Sequence, residues 1–401
     1  MKKRKKIILG SITGALALAL AGGGFWAYKT FVPQETPIDK NATVTSNFYQ
    51  AVNKDWLLKT KIPADSPSID NFYTLDEDIK GKLKKDIKNL GEGKETSDIT
   101  GMSEFITFYK AASDYKQREK DGLEPLKPYL KEIEEIKDLN DLASKSASLT
   151  DKGIPLPFGY NVGTNAENTS QKQIQLSPPS ILLPDVSIYK DESSKKQYLT
   201  PIETATQKAL EMLGYSEKNS KRIVKEALEF DEIIAKYSLS NEEMSESKNL
   251  VHPKTAEEIN AYSGSFKLYD VIKGIMGRDL ETINVPNTKY FENYSKIVNQ
   301  DNFSKIKSWI LVQEAMAASN SLTEDYRLNF ASISMAITGT QKPISKEDTV
   351  YEMSVNLFSD VMSVYYGRKY FGEEAKTDVT GMIDKIKNAN NKEAVSNRMI
   401  G

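Results

Sequence analysis

The sequence predicts a mainly α, large multi-helix ectodomain with a small β element, preceded by one N-terminal transmembrane helix. Three observations carry this prediction. Beyond residue 44, apolar residues recur at three- and four-residue spacing along most of the chain, the period of a helix buried on one face. Two short stretches, near residues 157 and 173, alternate with the period of a strand. A basic N-terminus is followed by a long uncharged run. Strands do not alternate with helices, which argues against a doubly wound nucleotide-binding fold.

The N-terminus comes first. Met1–Lys6 carries five basic residues, and Ile7–Tyr28 then runs for 22 residues without a charge, close to the ~20 that span a bilayer as a helix. Residues 1–6 read as a cytoplasmic tail, 7–28 as the anchor, 29–44 as a linker containing Pro33 and Pro37, and 45–401 as a helical domain outside the membrane. Ala19-Leu20-Ala21 also fits a signal-peptidase site, and cleavage there would give a secreted protein. A lipoprotein is excluded, because no cysteine follows Leu20-Ala21-Gly22.

The first folded stretch is Ser46–Leu57. Phe48, Val52 and Trp56 lie four apart, so they form one helix face, and that face is expected to be buried as core. Asn47 and Gln50 are spaced for a capping box. Ile62-Pro63 and Ser66-Pro67 mark a loop. Asp76–Leu90 returns to helix with Ile79, Leu83 and Ile87 on one face, and its Asp76-Glu77-Asp78 start complements the helix dipole. Phe105–Tyr115 and Leu126–Leu142 give two more helices, with Gly122 and Pro125 between them. Pro157–Val162 and Gln173–Ser177 read as strands around a turn-rich Gly163–Ser170. Thr200-Pro201-Ile202-Glu203 reads as a helix start. The next helix, Ser220–Tyr237, is expected to bury Ile223, Ala227, Phe230 and Ile234 and to carry Glu226, Glu229, Asp231 and Glu232 on its other sides. Further helical patterns cover Ala256–Tyr262, Leu268–Met276, Phe303–Ala318, Glu324–Ile337, Asp348–Phe371 and Asp378–Ala389.

Composition removes several chemistries. Lys plus Arg total 54 against 56 for Asp plus Glu, so no global charge draws the chain to nucleic acid. No cysteine is present, which excludes disulfides, thiolate zinc sites and cysteine nucleophiles. His252 is the one histidine. An H-E-x-x-H zinc site needs two imidazoles one helical turn apart, so the chain cannot build one. His252 precedes a helix start at Thr255 and reads as a turn or packing residue. No G-x-S-x-G elbow, P-loop or G-x-G-x-x-G occurs. A Ser/Lys dyad has no compulsory spacing, and nothing in the sequence points to one. Glu132, Glu134 and Glu135 lie on a charged helix face. The residues offer no self-sufficient active site.

Several segments taken in order resemble the N-terminal helical domain of the neprilysin-like zinc endopeptidases. Phe48, Tyr49, Val52, Asn53, Trp56 and Leu57 follow that family's D-F-Y-x-Y-V-N-G-x-W-L opening, with Asn47 and Lys54 in place of Asp and Gly. Ile62-Pro63 with Asn71-Phe72 and Leu75 is similar to the next loop and helix. Phe105–Tyr109 with Gly122, Pro125 and Leu126 resembles the segment before the family's first long hairpin. Pro157-Phe158-Gly159, Leu183-Pro184-Asp185 and Tyr189 resemble its short β excursion and L-P-D-x-x-Y-Y stretch. Gly367–Phe371 with Val379, Met382 and Ile386 resembles its V-x-x-Y-F…V-x-x-M-V-x-x-I run.

The resemblance implies a zinc peptidase domain without its chemistry. In the family the N-A-Y substrate strand, the H-E-x-x-H helix and the E-x-x-x-D third ligand lie in a C-terminal catalytic domain, and this chain is expected to lack all three. It would hold no cofactor itself, zinc belonging to the full-length family, and would be inactive alone. Its partners would be peptides or a missing or separate catalytic domain, and the membrane through the N-terminal helix. Asn71 and Phe72 are the candidate substrate-facing loop residues. On the same register Ser68 and Asp76 stand where the family can present arginines to a peptide's C-terminus. The alternative is a stand-alone cell-surface peptide-binding or interaction module. A far-ultraviolet circular dichroism spectrum is expected to be dominated by helix, and a β-dominated spectrum would contradict the fold class.

Overall fold

The computed structural model describes residues 38–398 except 167. The predicted tail, the anchor at 7–28 and most of the linker lie outside those residues. Among the described residues no helix is long and apolar enough to cross a membrane.

The described chain is mainly helical with one small sheet. In order come α1 (Phe48–Lys59), α2 (Asn71–Gly91), α3 (Met102–Ala112), α4 (Tyr115–Asp121), α5 (Lys127–Glu134) and α6 (Leu139–Asp151). Strands β1 (Gly159–Thr164) and β2 (Lys172–Ser177) precede α7 (Glu192–Met212) and α8 (Glu217–Tyr237). Then follow β3 (Pro253–Lys254), α9 (Ala256–Tyr262), α10 (Leu268–Met276), β4 (Ile283–Asn284), α11 (Phe303–Ala317) and α12 (Glu324–Thr338). The last elements are α13 (Lys346–Leu357), α14 (Ser359–Tyr366), a π-turn at Gly367–Phe371 and α15 (Gly372–Arg398).

The chain divides into two compact units. The first holds residues up to Pro67 and Lys116–Pro343, and the second holds Ser68–Tyr115 and Ile344 onward. In the first unit α8 packs along α11, and α7 lies against both α8 and α12. Fully buried Phe230 and Trp309 meet edge to face, with ring centres 5.9 Å apart. The sheet runs β1-β2-β4-β3: β1 pairs antiparallel with β2, Gln175 pairs parallel with Asn284, and β3 pairs antiparallel with β4. In the second unit Leu83 and Ile87 of α2, Met102 and Phe105 of α3, Tyr351 of α13 and Met362 and Tyr365 of α14 form the core. Gly101 opens α3 at φ 88, a left-handed conformation, and a Cβ there would lie 2.9 Å from Val361 Cγ2, so a side chain is excluded on two counts.

Several expectations change. The α1 stripe is not core: Phe48 is 66% exposed and Val52 61%, Trp56 is half-buried, and no described element packs broadly against the helix. Only half of its capping box forms, since Asn47 Oδ1 accepts from Gln50 N at 3.0 Å while the Gln50 side chain accepts from Asp39 N instead. Helix α2 starts at Asn71, because Asp70 caps it by accepting from Tyr73 N at 2.7 Å. Leu126–Leu142 is two helices, broken where Asp138 accepts from Asp141 N to start α6. Thr200 is not a helix start. Asp191 caps α7 nine residues earlier, and Pro201 lies inside the helix. Strands β3 and β4 are too short to leave a periodic signal. The predicted Asp348–Phe371 helix is α13, α14 and the π-turn, the break falling at Phe358.

The largest departure is Asp231. Spacing put it on the polar side of α8, yet it is fully buried. Its carboxylate accepts from Leu182 N at 3.1 and 3.0 Å, from Trp309 Nε1 at 3.0 Å, and from the Tyr189 hydroxyl. Burial pushes the carboxyl up from 3.8 to about 6, outweighing the opposing pull of these donors. The folded state therefore holds a proton that the unfolded chain has released between these values. Stability contributed by this group is complete below 3.8 and lost as pH rises through about 6. Unfolding free energy from urea titrations at pH 4 and pH 6 should fall by roughly 2 kcal/mol more in the parent chain than in Asp231→Asn. Equal pH dependence in the two would contradict the account.

Candidate functional site

Asn71 and Phe72 stand in the first turn of α2, in the second unit, rather than on a loop. Asp70 fixes that turn through Tyr73 N, and the Thr74 hydroxyl donates to Asp70 O at 3.0 Å. Phe72 is 81% exposed and Leu75 is exposed beside it. Two of the three adjacent acidic residues are paired within the same unit. Glu77 pairs with Lys80 at 2.5 Å, Asp78 with Lys82 at 2.6 Å, and Asp348 with Lys84. Partial burial pulls the Lys80 ammonium down, but Glu77, Glu352 and Asp348 together hold it above the ordinary lysine range. The turn is therefore an ordered apolar tip on a charged helix.

A second polar cluster fixes the far end of the unit. Lys369, inside the π-turn, donates to Asp86 Oδ1 at 2.8 Å, Glu95 Oε2 at 2.7 Å and the Tyr365 hydroxyl at 3.0 Å. Tyr370 donates to Asp86 Oδ2 at 2.7 Å, and Asn89 Nδ2 to Glu95 Oε1 at 2.9 Å. Asp86 is buried, so its charge depends on these partners. Bonds from Lys369 and Asn89 hold the Glu95 carboxyl below its usual range. The π-turn, which inserts an extra residue into a helical ladder, brings Lys369 and Tyr370 together onto Asp86.

Sequence reasoning missed both Asp86 and Asp231, although a signal existed. Asp86 stands three after Leu83, and Asp231 stands four after Ala227 and three before Ile234. A carboxylate at apolar-face spacing has to be buried and therefore bonded.

The zinc that the family resemblance implies finds no fitting donor set. His252 is half-buried at a sheet edge, its N–H donating to Asn284 Oδ1 at 2.7 Å and its carbonyl accepting from Val285 N at 3.0 Å. With one imidazole and no thiol in the chain, the two-histidine set of an H-E-x-x-H site cannot be assembled. Among the described residues no group of three or more His, Asp or Glu is placed to hold a metal. Glu132 pairs with Lys152 at 2.6 Å, Glu134 accepts from the Tyr215 hydroxyl at 2.7 Å, and Glu135 lies 3.8 Å from Lys131. The letters N-A-Y, expected to be missing, do occur at Asn260-Ala261-Tyr262. They lie on helix α9, not on a strand, and Asn260 Oδ1 accepts from Tyr269 N at 3.1 Å to hold the start of α10.

These features define a largely helical protein of two compact units. A family model for the N-terminal part of peptidase family M13 matches residues 44–394, and the chain belongs to that family. The family consists of zinc metalloproteases. The chain is 31% identical over 349 residues to the neutral endopeptidase of Lactobacillus helveticus, covering 87% of this chain and 54% of that protein. It is 28% identical over 342 residues to the neutral endopeptidase of Lactococcus lactis subsp. lactis, covering 85% and 54%. Among solved structures, PEPO of Lactobacillus rhamnosis superposes with a TM-score of 0.79 at 23% identity, covering 86% of this chain and 54% of that one. A Mycobacterium tuberculosis zinc metalloprotease, solved with an inhibitor, gives 0.76 at 18% identity, covering 88% and 54%. The chain thus spans about half the length of the relatives it matches.

Removing the Lys369 ammonium leaves Asp86 as a buried unpaired charge. Lys369→Met should lower unfolding free energy by roughly 3 kcal/mol, and Tyr370→Phe by about 1 kcal/mol, measured by urea denaturation. A Lys369→Met cost no larger than that of an exposed lysine would show that the cluster does not hold the unit together.

Proposed function

We propose that this chain is the non-catalytic N-terminal domain of a neprilysin-like zinc endopeptidase, held outside the cytoplasm by the segment at 7–28. It would form the covering wall of a peptide-binding chamber and depend on a separate or further catalytic half for hydrolysis. The observation that carries the reading is the uncovered apolar face of α1. Phe48, Tyr49 and Val52 are each more than 60% exposed, although the spacing is that of a core helix. An isolated module in water would be expected to carry polar residues there, whereas a domain built to meet another would keep them apolar. The match to about half of each neutral endopeptidase supports the same reading. Phe72 and Leu75 on α2 would then be peptide-facing or domain-facing contacts rather than catalytic groups.

Purified residues 32–401 should show no chelator-sensitive cleavage of a fluorogenic peptide library. The melting temperature should also be unchanged by a chelator, since no group placed to hold a metal occurs among the described residues. Chelator-sensitive cleavage by this chain alone would overturn the proposal.

A further inference from the structure

We infer that α15 pairs with the α15 of a second copy of this chain, antiparallel and in one register. The inference does not rest on the peptidase reading. In the second unit α15 is the last described element, and apart from the π-turn before it no described element packs broadly against it. Val379, Met382, Ile383 and Ile386 recur at helical spacing and are 43%, 59%, 45% and 61% exposed. With Ala375 they place apolar residues at 375, 379, 382 and 386, the alternating four- and three-residue steps of a two-helix seam.

Charge selects the occupant. Asp378 and Lys385 flank this seam on the same side, seven residues apart, and neither has an ion-pair partner among the described residues. In an antiparallel pair with Val379 opposite the other copy's Met382, Asp378 of each helix falls beside Lys385 of the other, giving two ion pairs by symmetry. Sliding the pair one heptad either way sets Asp378 against Asp378 or Lys385 against Lys385. In a parallel, in-register pair Asp378 faces Ile383 and Lys385 faces Asn390, so no charge is matched. The exposed face thus complements itself in this arrangement. Lys376 would lie beside the second copy's Ile383, covering it with its methylene stem.

The chain contains no cysteine, which makes the test direct. Full-length chain carrying Val379→Cys is mixed with full-length chain carrying Met382→Cys in mild detergent and oxidised. The expected result is a disulfide-linked heterodimer in excess of either homodimer. In sedimentation, Met382→Glu should abolish the dimer. Asp378→Lys and Lys385→Asp should each weaken it about five- to tenfold, and the double exchange should restore it. A chain that stays monomeric at every concentration, with the face kept for another partner, would overturn the inference. So would a dimer indifferent to Met382→Glu, or one that the double exchange fails to restore.

Discussion

The first unit depends on burying a carboxylate. Asp231 on α8 collects the backbone N–H of Leu182, the hydroxyl of Tyr189 and the indole N–H of Trp309, so one side chain joins the Leu183-Pro184-Asp185 segment to the two most closely packed helices. A buried polar group with its partners in place specifies geometry more narrowly than apolar contact, because any other packing leaves a donor or acceptor unpaired. Asp185 extends the same logic outward, accepting from Ser187 N at 2.8 Å and Asn241 N at 2.8 Å. In the second unit Asp86 plays the corresponding part, with Lys369 and Tyr370 as its partners.

Much of the helical layout was legible from spacing alone. Helices α9 and α10 have the bounds their apolar pattern indicates, and α11 and α12 end within a residue of it. What spacing could not give was decided by single polar groups. Asp191 captured the start of α7 from the better-looking Thr200, and a proline was then tolerated within the helix. The buried carboxylates were misread because a charge in an apolar stripe looks like an interruption until its donors, distant in sequence, are known. The two-residue strands β3 and β4 are defined by their partners and carry no period.

The candidate site was legible chiefly by exclusion. One histidine and no cysteine leave the sequence without the family's two-histidine zinc motif before any fold is drawn. The expected role of α1 was half right: its residues identify the family's opening segment, but Phe48, Tyr49 and Val52 are exposed rather than core. In the proposed reading, that exposed apolar face is a contact surface.

The central claim is that the fold of this family's N-terminal domain persists here with no zinc site among the described residues. Titrating zinc into the purified, chelator-treated chain by calorimetry tests it most directly. The account predicts no saturable one-to-one binding and no change in thermal stability. A stoichiometric site that releases protons on binding and raises the melting temperature would contradict it.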